Sequence, residues 1–174
     1  MSSQIVRFIS DTHFSHRNLA QSLRHFQDEY YHDEFIIDQW NSVVKSPKDI
    51  TYILGDITME RSTFYYQLDR LMGVKHVVGG NHDLRQHSRE LLRYVESITG
   101  MVDYKGFILT HCPIHESIVS QCRGNIHGHV HSHSILLKNG EIDGRYMNVC
   151  AEMIDYKPIT IEDLLIKYNR IGYE

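Results

Sequence analysis

The stretch that most constrains this chain is Gly79-Gly80-Asn81-His82-Asp83. It lies between an apolar run, Val74-Lys75-His76-Val77-Val78, and a segment with helical spacing, Leu84 to Tyr94. That order predicts a strand-to-helix turn carrying two glycines, an amide, an imidazole and a carboxylate. Such turns lie at the carboxyl ends of sheet strands, where α/β proteins bind ligands. Glycine lets the backbone turn sharply and approach a ligand closely. An amide followed by an imidazole reads as a metal-site residue followed by a proton donor.

Two earlier apolar runs end in the same kind of chemistry. Gln4 to Ile9 predicts a buried strand ending at Ser10-Asp11-Thr12-His13, and Asp49 to Leu54 predicts another ending at Gly55-Asp56. Between them, Phe35, Ile36, Trp40, Val43 and Val44 recur at the spacing of one helical face, which predicts a helix over 33–45 stopped by Pro47. Ser62 is placed to cap a further helix with Phe64, Leu68, Leu71 and Met72 inward. From about Val95 the pattern changes to short strands: 95–98, 101–104, 107–110, 125–127, 134–137 and 146–149. Pro158 and Thr160, with Asp163 three residues on, announce a last helix from Ile161 to about Tyr168. No internal repeat or linker interrupts the sequence, so residues 1–174 form one expected domain of two packed sheets with outer helices.

The polar residues at the strand ends form a constellation. Asp11 and His13 follow the first strand, Asp56 the second, and Asn81 and His82 the third. His111 follows Phe107-Ile108-Leu109-Thr110, and His129 and His131 follow Asn125-Ile126-His127-Gly128. Residues two apart in a strand face the same way, so each of the pairs 11/13 and 129/131 can aim inward. Asp11, His13, Asp56, Asn81, His111, His129 and His131 offer nitrogen and oxygen donors and no sulfur, which suits Mn, Fe, Zn or Ni. Seven ligands exceed one tetrahedral site and point to two ions sharing a ligand. A lone Asp-x-His is usually a surface turn; here the series of strand ends carries the argument.

Asp11-x-His13, Gly55-Asp56, Gly80-Asn81-His82-Asp83, His111 and Gly128-His129-x-His131 occur in the order of the five motifs that resemble calcineurin-like metallophosphoesterases. The resemblance implies an α/β fold, a four-layer α/β/β/α sandwich with two mixed sheets flanked by helices. It also implies two divalent ions, Mn foremost, with Fe, Zn, Ni and Mg as alternatives. Asp11, His13 and His131 would hold the first, Asn81, His111 and His129 the second, and Asp56 would bridge them. A bridging hydroxide would attack phosphorus, His82 would act as general acid, and Asp83 would orient it or stabilise its charge.

The first motif, Asp11-Thr12-His13-Phe14-x-His16-x-Asn18, is similar to that of small bacterial and phage members and adds His16 and Asn18 to the expected pocket. Arg85 matches a phosphate-binding position but also reads as a helix-surface charge, and His115 is either pocket lining or an ordinary loop residue. The resemblance departs at Met59, where the protein-phosphatase branch has an aspartate paired with the catalytic histidine. Glu60 stands beside it as a substitute. Cys112 is expected to be a packed small residue, and His25, His32, His76 and His87 structural or solvated.

The expected substrate is a small, nucleotide-like phosphodiester or monoester. A nuclease and a non-catalytic scaffold are the alternatives. The net charge of −4, without a basic stripe, weighs against nucleic acid, although Arg85, Arg89, Arg93 and Lys105 could form a local patch. An intact ligand set weighs against a scaffold. No apolar run approaches the ~20 residues of a membrane span. Three cysteines without paired spacing, and an N-terminus without a signal-peptide pattern, suit a cytoplasmic protein.

Overall fold

The computed structural model describes residues 4–59, 62–83 and 88–169. Strands β1 (Val6–Ile9), β2 (Ile50–Ile53), β3 (Val74–Val78) and β4 (Ser97–Thr99) pair in parallel, in the order β4-β3-β2-β1. Strands β5 (Val102–Tyr104), β6 (Phe107–Leu109), β7 (Gly124–His127) and β8 (Tyr146–Asn148) form a second sheet in that order. There β5 is antiparallel to β6, and β6, β7 and β8 run parallel. Strand β9 (Ile159–Thr160) returns to the first sheet, antiparallel to β1. Both sheets are therefore mixed, as the motif series implied.

The sheets pack face to face. The Tyr104 ring of β5 sits 5.3 Å from Phe8 of β1 and 6.0 Å from Tyr52 of β2, centroid to centroid. One apolar core runs through both layers, from Ile53 and Val77 to Leu109, Ile126 and Met147. Helices close its outer sides. Helix α1 (Glu29–Val43) buries Ile36, Ile37 and Trp40, and the Trp40 indole donates to Met72 O at 2.9 Å. The short helices α2 (Ser88–Leu91) and α3 (Glu116–Val119) follow, then α4 (Ile161–Lys167), which buries Ile161 and Leu164. Thr160 caps α4 by accepting from Asp163 N at 3.2 Å, as its sequence announced. Among the described residues no helix is long and apolar enough to cross a membrane.

Several expected elements are corrected. Helix α1 starts at Glu29 rather than Asp33, because Asp28 accepts from Tyr31 N at 2.9 Å and satisfies an open donor of the first turn. That extra turn buries His32 and Asp33, polar residues which an apolar-face reading passes over. Residues Ser62–Arg70 form a 3₁₀ helix; Tyr65, Leu68 and Leu71 go inward while Met72 is exposed. Phe64 lies outside the described side chains. Of the helix expected over 84–94, residues 88–91 are helical and 84–87 lie outside the described residues. The strand expected at 95–98 is β4 of the first sheet, not part of the second. The strand expected at 134–137 is reduced to a single bridge, Leu136 to Ile142.

What positions the site is a seam between the sheets. Ser10 N donates to Val149 O at 2.8 Å, and Ala151 N donates to Ser10 O at 2.9 Å. The chain leaving β1 is thereby bound to the chain leaving β8. The loops after β1, β2 and β3 meet those after β6, β7 and β8 along this seam.

Candidate metal centre

The strand-end residues do converge, but not by strand alternation. Strands β1 and β7 stop at Ile9 and His127, short of both Asp-x-His and His-x-His. Five of the seven expected ligands have left-handed backbone: Asp11 (φ +55°), His13 (+47°), Asp56 (+53°), His129 (+69°) and His131 (+49°). Asp and His are among the side chains that visit this region most readily, yet such residues persist only where surrounding bonds hold them. Here Asp11 N donates to Gly55 O at 3.0 Å and His13 N to Asp56 O at 3.1 Å. The alternation of left-handed and ordinary residues, rather than a pleat, turns each pair inward.

Side-chain distances define two halves of one cluster. Asp11 Oδ1 faces His13 Nε2 at 3.4 Å, and the His13 and His131 rings stack with centroids 5.4 Å apart. Asp11 Oδ2 accepts from Ser10 Oγ at 2.6 Å and from His129 N at 2.8 Å. In the other half His111 Nε2 lies 3.0 Å from Asn81 Oδ1 and 3.2 Å from His129 Nδ1. Asp56 adjoins this half, with Oδ2 3.4 Å from His111 Nε2, and ligand atoms of Asp11, Asp56 and His111 lie within 4.8 Å of one another. All seven expected ligands are thus brought together.

Two glycines make room for the carboxylates. A Cβ on Gly80 would collide with Asp56 Oδ1 and the Asp56 backbone nitrogen, and a Cβ on Gly128 with Ser10 Oγ and Asp11 Oδ2. Gly80 is needed for this close approach rather than for a positive φ. Neither collision can be relieved by swinging a flexible side chain away, because each carboxylate is buried and hydrogen-bonded.

The donors present fit divalent cations. Asp11 Oδ1 and both His13 ring nitrogens are buried with no hydrogen-bond partner among the described residues, a cost that a bound ion would remove. Burial depresses the His13 pKa despite Asp11 beside it, which favours the neutral imidazole that metals bind. For Asp11, burial opposes ionisation, but the His13 contact and charge, His111 and the Ser10 hydroxyl outweigh it and hold the carboxyl below its usual range. Burial also works against a proton on His111. The Asp56 contact and the Asp11 and Asp56 charges prevail and push its pKa up to about 9. Two buried carboxylates thus attract positive charge to this point.

Around the cluster lies a polar network that the sequence did not disclose. Glu152 Oε1 is 2.8 Å from His131 Nδ1, and Glu152 Oε2 accepts from Arg24 Nε at 3.1 Å. Arg24 also donates to Asp11 O at 2.6 Å and Thr12 O at 3.2 Å. Its Nη1 is 2.8 Å from His32 Nε2, whose Nδ1 meets Asp33 Oδ1 at 3.0 Å. Asp33 in turn accepts from Ser15 N. No motif announces isolated charges such as Arg24 and Glu152, which are 128 residues apart.

Other expected site residues fare differently. His82 stands at the mouth, its side chain 24% exposed, with Nε2 3.8 Å from Asp56 Oδ2 and its ring 5.9 Å from His13. Its backbone N–H donates to Asp56 Oδ1 at 2.9 Å. Asp83, expected to orient His82 or stabilise its charge, has a carboxylate that accepts from Asp56 N, Gly80 N and Ile57 N. Its oxygens are used in fastening one strand-end turn to the next. His16 is near the cluster, 6.0 Å from His13 ring to ring, whereas Asn18 is exposed just before the helical turn Leu19–Leu23. His115 is exposed and caps α3, Nδ1 accepting from Ser117 N at 3.2 Å, as an ordinary loop residue would. Cys112 is exposed rather than packed, and its sulfur lies within 4.8 Å of ligand nitrogens of His111 and His129. Arg85 and Glu60 lie outside the described residues, and so does His87.

No model of a known protein family matches the chain. Among solved structures, it is similar to a protein of unknown function from Aquifex aeolicus, AQ665, with 28% identity, a TM-score of 0.71, and coverage of 93% of this chain and 98% of that one. Among curated sequences, it is similar to the uncharacterized protein MJ1445 of Methanocaldococcus jannaschii, 31% identical over 179 residues that cover 99% of this chain and 95% of the other. Identity at that level over essentially both full lengths shows that the chain belongs to the family of the Methanocaldococcus jannaschii protein.

Proposed function

We propose that this protein is a calcineurin-like metallophosphoesterase that uses two divalent ions to hydrolyse a phosphodiester, or a monoester, of a small nucleotide-like substrate. One observation carries the reading. Seven nitrogen and oxygen donors from the loops after five strands meet in one cluster, where Asp11 Oδ1 and the His13 nitrogens are buried and unpartnered. Asp11, His13 and His131 would hold one ion, Asn81, His111 and His129 the other, and Asp56 both. Mn²⁺ suits this oxygen- and nitrogen-rich set best, with Fe, Zn, Ni and Mg as alternatives. The ions would supply the positive charge that draws a phosphate ester and activates a water as nucleophile.

The chain's own residues do the rest. Asp56 accepts the His82 N–H, which fixes the start of the turn so that the imidazole stands at the open side of the cluster. From there His82 can give a proton to the leaving oxygen, work that a positioned acid performs with a gain of about 10²–10⁴-fold. A partly exposed acid suits a substrate that enters from solvent. Free Cys112, Cys122 and Cys150 suit the reducing cytoplasm.

The test uses metal-stripped protein restored with Mn²⁺ and compares bis-p-nitrophenyl phosphate with p-nitrophenyl phosphate. Metal-dependent turnover that Asp56→Asn abolishes, with the diester preferred, is the expected result. Binding of two ions without turnover of either ester would leave a substrate-selective enzyme or a scaffold, and a protein that binds no metal would overturn the reading.

A further inference from the structure

Glu152 and Arg24 contribute no atom to the proposed reaction, yet they touch the segments that carry three of its ligands. The Arg24 side chain is 1% exposed and that of Glu152 15%. A charge is kept this far from water only when it is fully paired. Arg24 uses its donors on Glu152 and on the carbonyls of Asp11 and Thr12, so it grips the left-handed stretch that aims Asp11 and His13. Glu152 uses its other oxygen on His131 Nδ1. With Nδ1 engaged by a carboxylate, only Nε2 of His131 remains for an ion. A carboxylate partner also makes an imidazole a stronger donor to metal.

In the other half the carboxylates hold backbone rather than the outer side of a ligand ring: Asp83 accepts from Gly80 N beside Asn81, and Asp11 accepts from His129 N. His111 Nδ1 meets a neutral carbonyl, Leu54 O, at 2.7 Å. His111 therefore lacks the carboxylate partner that His131 has on its outer ring nitrogen.

We propose that Glu152, held by Arg24, is the positioning residue for His131, and that this pair makes the Asp11–His13–His131 half the first to take up metal. The inference rests on the two-ion reading above. It implies sequential filling: one ion enters a preformed set, and the second completes a looser one. Neither residue need approach the substrate.

The experiment titrates metal-free protein with Mn²⁺ calorimetrically, comparing wild type with Glu152→Gln. In parallel, long-range ¹H–¹⁵N spectra of wild type are recorded at one equivalent of diamagnetic Zn²⁺. Wild type is expected to bind in two resolvable steps, and Glu152→Gln to weaken the tighter step by about 10- to 100-fold while leaving the other unchanged. In the spectra His131 is expected to be the first to respond to Zn²⁺ together with His13, protonated at Nδ1 and shifted at Nε2. Equal weakening of both steps would show a merely structural role, and an unchanged tight step would show none; either overturns the proposal. So would a response of His111 and His129 before His131, or a His131 protonated at Nε2. Should Glu152→Gln fail to fold, the wild-type spectra decide. Wild type that binds no metal would instead overturn the two-ion reading itself.

Discussion

Replacing Asp83 separates two roles that its position beside His82 confounds. The Asp83 carboxylate, 4% exposed, accepts from Asp56 N at 2.7 Å, Gly80 N at 3.0 Å and Ile57 N at 3.1 Å. Hydrogen bonds to a charged group are worth about 1.5–3 kcal/mol each. Burial, joined by the Asp56 charge, outweighs these hydrogen bonds and raises the pKa of Asp83, so the ionised carboxylate is itself held at a cost. Removing the acceptor in Asp83→Ala leaves three neutral N–H groups unpaired, at about 1–3 kcal/mol each, and relieves the cost of the buried charge, for a net loss of about 3–5 kcal/mol. Asp83→Asn, which keeps one acceptor oxygen, should cost about half as much. For a chain of this length that corresponds to a fall in Tm of about 6–20 °C for the alanine variant. Thermal unfolding in excess chelator is the assay, so that lost metal binding does not contribute. An Asp83→Ala protein with wild-type Tm but lost turnover would refute this reasoning and restore Asp83 as the partner of His82.

Other perturbations have equally definite outcomes. His82→Ala should retain two bound ions and lose about 10²–10⁴-fold in kcat on esters with poor leaving groups, with little loss on p-nitrophenyl esters; equal losses on both would contradict a general-acid role. Gly80→Ala places a Cβ against Asp56 and should cost about 1–3 kcal/mol of stability together with metal affinity, read by urea unfolding and calorimetry. His32 is buried between Arg24 and Asp33, and burial depresses its pKa below 6.5. A proton then binds the unfolded chain more readily than the folded one. Stability of the metal-free protein should fall as pH drops below 6.5 toward the folded-state pKa, by at most about 1.4 kcal/mol per pH unit from this group. Denaturant unfolding at several pH values should show that slope reduced in His32→Gln.

The sequence disclosed the parts of the site whose chemistry is rare and local. Asp11, His13, Asp56, Asn81, His111, His129 and His131 each end or follow an apolar run, and a strand end is where sheet proteins gather ligands. The order of apolar runs likewise carried the two-sheet architecture, now seen in β1 to β9. Strand membership was less legible: β4 looks like its neighbours in sequence but pairs with β3, because only the register of His76 to Ser97 and Val78 to Thr99 distinguishes the two sheets. The fastening role of Asp83 was not legible because its partners are backbone N–H groups, which no residue pattern displays. Arg24 and Glu152 were missed because a pair of opposite charges 128 residues apart looks like any two surface residues until the fold buries them. The aiming of the ligand pairs was predicted for the wrong reason: alternation along a strand was expected, and alternating left-handed residues perform it.

The most direct test of the account is the state of manganese in the restored protein, read by electron paramagnetic resonance alongside metal analysis. Two Mn²⁺ per chain, exchange-coupled through a shared Asp56 and uncoupled or reduced to one in Asp56→Asn, is the expected result. A single isolated Mn²⁺, or none, in the wild-type protein would contradict it.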